Sequence, residues 1–216
     1  RKIGFDSLAI GMSPFLMNLA ACFIVIIINQ GLKKYGGDLA IGAFGIVNRL
    51  VFIVVMIVMG LNQGMQPIAG YNFGAKLYGR VNKVLRLTII YATAVTTFGF
   101  LVGMLVPDLV VGIFTSDAEL TELSVTGLRI TVMFFPIIGF QMVTSNFFQS
   151  IGMAGKAIFL SLTRQMLILL PCLLVLPQFF GVAGVWYSMP VSDLLASLIA
   201  LVMLVCQFRK FRTSPL

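Results

Sequence analysis

Residues 60–76 read Gly60-Leu61-Asn62-Gln63-Gly64-Met65-Gln66-Pro67-Ile68-Ala69-Gly70-Tyr71-Asn72-Phe73-Gly74-Ala75-Lys76, directly after the apolar stretch Leu50 to Met59. Free amides at the end of a membrane span need partners or water. Gly60, Gly64, Gly70 and Gly74 let helices approach closely, and Pro67 removes a backbone donor. The run predicts that a membrane helix ends at about Gln63 in a shaped cavity mouth.

Composition supports a membrane setting. The 216 residues are 59% hydrophobic and only 10% charged, against about 25% charged in soluble domains, and the mean hydropathy is +1.05. A chain of this size has too much apolar surface to hide from water, so its solvent is a lipid bilayer. Cys22, Cys172 and Cys206 lie in apolar stretches without metal or disulfide spacing and read as small packing residues. No metal site is expected. Histidine is absent, which removes the commonest general base. The net charge of +8 is split into short runs between apolar spans rather than a continuous stripe, so nucleic acid is not the expected partner. The chain opens on Arg1-Lys2-Ile3-Gly4 and shows no signal-peptide pattern, which reads as a start just before a span.

Stretches of about 20 apolar residues cross the hydrocarbon as helix. Six are expected, at 13–32, 39–63, 87–106, 124–150, 157–176 and 182–207, with Pro177 to Gly181 splitting the last two into a hairpin. Residues 1–12 read as a cytoplasmic linker and 208–216 as a cytoplasmic tail. The fold class is therefore an all-α integral membrane bundle of six helices. Lys76, Arg80, Lys83 and Arg86 fall between spans two and three, Lys156 and Arg164 between four and five, and Arg209, Lys210 and Arg212 after six. The positive-inside rule places these loops and both chain ends in the cytoplasm. The opposite side carries Lys33 and Lys34 but also Asp38, Asp108, Asp117, Glu119 and Glu122. Ser116-Asp117-Ala118-Glu119 has capping-box spacing and predicts a helix start. Residues 71–86 read either as an amphipathic helix along the headgroups or as a solvated loop.

Charges at membrane depth are costly and mark candidate sites. Arg49 in span two and Asp193 in span six lie at similar depth; either they pair, or each bonds backbone or water separately. Arg129, one turn into span four, snorkels outward. The neutral candidates for a substrate cavity are Asn18 in span one, Asn62, Gln63 and Gln66 at the end of span two, and Gln141, Ser145, Asn146 and Gln149 in span four. Gln141, Ser145 and Gln149 recur every four residues and share one helix face, which meets either substrate or neighbouring helices. Pro14, Pro136, Pro171 and Pro190 are expected to kink their spans.

The run from Gln66 to Lys76 closely resembles the signature that follows the second helix of the C-terminal lobe in multidrug and toxic compound extrusion (MATE) transporters of the bacterial branch. Gln66, Pro67, Gly70, Tyr71, Asn72 and Gly74 carry the match. Ser13 to Ala20, Phe114 to Asp117, Phe148 to Gly152 with Lys156, and Gly181 to Trp186 with Pro190 to Asp193 resemble other parts of that lobe, so the similarity covers nearly the whole chain. It implies one lobe of a twelve-helix, two-lobe transporter, whose partner is an N-terminal six-helix lobe. Some family members carry a cation-binding carboxylate in the first and fourth helices of this lobe. Here the corresponding part of span one offers Ala20, Ala21 and Cys22, and span four has no carboxylate after Glu122. The resemblance therefore implies that the coupling ion, Na+ or H+, binds mainly in the N-terminal lobe, with no cofactor.

The expected function is half of a secondary efflux antiporter in the bacterial inner membrane, exporting small amphipathic or cationic compounds by alternating access. Nineteen Phe and twelve Met suit promiscuous binding. A lipid-linked oligosaccharide flippase of the same superfamily is the alternative transporter, and an inactive scaffold subunit the non-transport one. An intramembrane enzyme is not expected, since Asp193 has no carboxylate partner and no His is present.

Overall fold

Glycine and proline, more than the apolar runs, decide where this chain turns. The computed structural model describes the backbone of residues 2–213 and the side chains of Phe15 and residues 18–208, and all regular structure among them is helical. Helix α1 (Lys2–Gly74) has one non-helical residue, Gly37, at φ 68° and ψ −164°. Only a residue without Cβ adopts that backbone at low cost. Val25 and Val51 line one cavity, although a straight helix would hold them about 39 Å apart. Gly37 therefore folds α1 into two antiparallel arms.

The chain continues as α2 (Tyr78–Leu105), a short α3 (Pro107–Gly112), α4 (Ala118–Val132), α5 (Phe135–Ser150), α6 (Ala154–Leu162), a π-helical turn (Thr163–Leu169), α7 (Leu170–Phe180) and α8 (Val182–Thr213). Four helical segments, in α1, in α2, across α6 to α7 and in α8, are long and apolar enough to cross a membrane, and α4 with α5, bent by 55°, count as a fifth when taken as one span. Counting the arms of α1 separately gives six. The bend has a local cause: Pro136 cannot donate to the carbonyl of Val132, and its ring crowds that oxygen. Pro171 has the same conflict with Leu167, and the turn before it is widened to π geometry. At the start of α4 Asp117 is the cap, one residue after Ser116, accepting from the Leu120 N–H through Oδ1 at 3.0 Å.

Several expected boundaries are corrected. Span two does not end at Gln63, because the run 60–74 stays helical through Pro67. It stops at a pair of bonds, Leu77 N–H to Asn72 O and Lys76 N–H to Phe73 O, with Lys76 left-handed at φ 58°. Residues 78–86 form no separate surface helix; they are the first turns of α2. The expected loop 33–38 shrinks to Gly37, and the hairpin at 177–181 to Gly181, since Pro177 to Phe180 remain in α7. Residues 2–12 continue into α1 and 208–213 into α8, while residues 214–216 lie outside the described residues. Arg164 lies in the π-helical turn inside span five and not in a loop. Cys22 and Cys206 are exposed on the bundle surface.

Two apolar cores stack along the bundle. One, toward the Gly37 end, holds Leu32, Phe44, Val47, Leu128 and Trp186. Gly127 seats the indole of Trp186, since a Cβ there would lie 2.6 Å from the ring. The other, toward the basic end with Lys76 and Lys156, holds Val58, Met65, Phe147, Leu160 and Leu204. Met142 packs against both.

Candidate functional site

The waist between the two cores carries the polar chemistry. On α8, Asp193 falls between Trp186 of one core and Ala200 of the other, about 10 Å from each along the axis. Ser188, Ser192 and Ser197 are buried and donate to the carbonyls of Gly184, Met189 and Asp193. Their hydroxyls are satisfied within the helix. Opposite, the π-helical turn presents Arg164, which lies between Leu160 of one core and Leu169 of the other. Nε of Arg164 and Oδ1 of Asp193 form an ion pair at 2.8 Å, with side chains 33% and 8% exposed. A single charge at mid-membrane costs roughly 2.5 kcal/mol or more on insertion scales. Pairing removes the net charge and leaves a strong dipole.

The pair opens into a cavity of about 260 Å³ lined also by both arms of α1, α4, α5 and α8. Phe44, Phe135, Met142 and Met189 give it a deformable apolar wall, and Asn48, Thr131 and Ser192 add polar groups. The arrangement suits an amphipathic molecule, or a small cation that competes with Arg164 for the carboxylate.

The sequence candidates scatter around this site. Asp193 is in it. Arg49 is exposed and does not pair with Asp193, whose partner is Arg164. Asn18, Gln63 and Tyr71 are exposed, while Gln66 and Gln149 are partly buried. Asn62 is 2% exposed, and neither amide atom has a hydrogen-bond partner among the described residues. Gln141 is buried, and the Ser145 hydroxyl lies 3.5 Å from that of Ser161. Asn146 donates to Met142 O and Asn72 to Ile68 O. None of these amides lines the cavity. Sequence reasoning passed over Asn48, Thr131, Arg164 and Ser192. For Arg164 the signal was present, since position 164 falls inside the expected span 157–176. Nothing in the pattern marks Thr131 or Ser192.

Six candidate spans in two stacked cores, with a charged pair at the waist, define an all-helical lobe of a multi-pass membrane protein. Residues 13–174 match the MatE family model. The chain is 29% identical over 192 residues to the multidrug export protein MepA of Staphylococcus aureus strain MSSA476, a match that covers 89% of this chain and 42% of that protein. The structure of the MATE multidrug transporter DinF-BH, solved as a complex, superposes with a TM-score of 0.82 at 36% identity, covering 95% of this chain and 46% of that one. An outward-facing multidrug resistance MATE family transporter of the MOP superfamily gives 0.90 at 19% identity over 99% of this chain and 48% of that one, a likeness of fold alone. This chain belongs to the MatE family. It spans less than half the length of the relatives it matches.

Proposed function

We propose that this chain is one lobe of a secondary multidrug efflux antiporter, working with an N-terminal six-helix lobe in a bacterial inner membrane, both ends of the segment cytoplasmic. The substrates are amphipathic or cationic compounds, exported in exchange for Na+ or H+ by alternating access. The observation that carries this reading is the waist cavity, in which an aromatic and methionine wall surrounds the Arg164–Asp193 pair. The names of MepA, a multidrug export protein, and of DinF-BH, a multidrug transporter, support the substrate class.

The coupling ion sits mainly in the other lobe, and Asp193 is the carboxylate through which this lobe responds. When a proton or Na+ occupies it, Arg164 loses its counter-charge and α8 is released from the π-helical turn. The test is accumulation of a lipophilic cationic dye in efflux-deficient bacteria expressing the complete reading frame. The reading expects lower accumulation that rises when the Na+ and H+ gradients are collapsed; accumulation unaffected by the gradients would contradict it.

A further inference from the structure

A second cavity, of about 530 Å³, lies at the basic end, between the first turns of α2 and the end of α8. Its lining is graded. Tyr78, Asn82 and Arg86 supply polar groups near the start of α2, while Leu85, Ile89, Ile90 and Phe208 supply an apolar floor. Tyr78 and Ile90 are about 18 Å apart along the helix axis. Side chains on a helix tilt toward its N-terminus, so the Arg86 guanidinium reaches back toward Asn82 and the headgroup layer. The groove thus runs from headgroup level into hydrocarbon, polar end outward.

Charge identifies what fits. Lys76, Arg80, Lys83 and Arg86 are all exposed at this end of the bundle, with Arg86 in the groove itself, and no carboxylate occurs between Asp38 and Asp108. The described carboxylates other than Asp193 lie at the opposite, Gly37 end. We infer that this groove binds one anionic glycerophospholipid of the adjacent leaflet, its phosphate on Arg86, Asn82 and Tyr78 and one acyl chain along Leu85, Ile89 and Ile90. Neither a zwitterionic lipid nor a soluble phosphate satisfies both ends of the groove: the first brings a cation to a cationic rim, the second leaves the floor uncovered.

The experiment uses the full chain in bilayers with a Tyr91→Trp reporter. Tyr91 is exposed beside Ile90 and does not line the groove. Acyl-brominated phosphatidylglycerol and phosphatidylcholine are compared as quenchers, with glycerol phosphate as a soluble competitor. Arg86→Gln and, at the opposite end, Arg129→Gln are then introduced, and circular dichroism confirms the helix content of each. The expected result is a preference for phosphatidylglycerol that falls about fivefold in Arg86→Gln, as for one basic residue at a membrane surface, and persists in Arg129→Gln and with glycerol phosphate. Equal quenching by both lipids, equal loss in both variants, or displacement by glycerol phosphate would overturn the inference.

Discussion

Arg164 and Asp193 meet at 2.8 Å across the waist of the bundle, one on a π-helical turn and the other on α8. Arg164 lies in the widened turn ahead of Pro171, and Asp193 lies on α8 between the intrahelically bonded Ser188 and Ser197. Removing one partner strands the other. Arg164→Gln or Asp193→Asn alone should therefore cost about 1–3 kcal/mol, between exposed and fully buried pairs, and the double variant should recover part of that loss. Thermal unfolding of the four proteins in detergent reads this cycle, and strictly additive losses would contradict the coupling.

Lys76 occupies the left-handed position that ends α1, with the same bonding pattern that ends α5 around Gly152. A Cβ at that position carries strain of about 1 kcal/mol. Lys76→Gly should raise the unfolding midpoint, and a lower one would show that the lysine side chain stabilises the turn by more than it strains it.

Asn62 faces the basic-end core on the same stripe as Val58, Met65 and Ala69, with its amide unbonded to any described residue. Replacing such a group by an apolar one of similar size is near neutral or stabilising. Asn62→Leu should match or exceed the native chain in a thermal unfolding experiment. A loss above about 1 kcal/mol would mean that the amide makes a hydrogen bond in the folded protein.

Charge asymmetry predicts the orientation. In a background with Cys22, Cys172 and Cys206 replaced by serine, Lys83→Cys should react with an impermeant maleimide only from the cytoplasm, and Asp117→Cys only from outside. Reaction of both from one side would refute the six-span topology.

The membrane setting, the six spans and the isolated carboxylate were all legible in the sequence, because long uncharged runs and a lone Asp193 within one carry strong energetic meaning. Helix ends were not. The run 60–74 reads as a break because of its glycines and amides, yet it stays helical; the residue that turns the chain is Lys76, which no propensity argument selects. The waist cavity was hidden for a related reason. Arg164 was assigned to a loop although it falls within the expected fifth span, and the pairing depends on a π-helical turn that leaves no periodic mark in the sequence. The amides of span four read as a cavity face, but Asn146 bonds its own helix and Gln141 is buried without lining the waist cavity.

The most direct test is gradient-driven efflux by the complete protein carrying Asp193→Asn, measured in everted membrane vesicles beside equilibrium binding of the same dye. Asparagine keeps the shape of the side chain and removes the charge that a coupling cation or Arg164 must find. The account predicts that dye binding persists while the response of transport to an imposed Na+ or H+ gradient is lost. Efflux by Asp193→Asn that follows the gradient as the native protein does would contradict it.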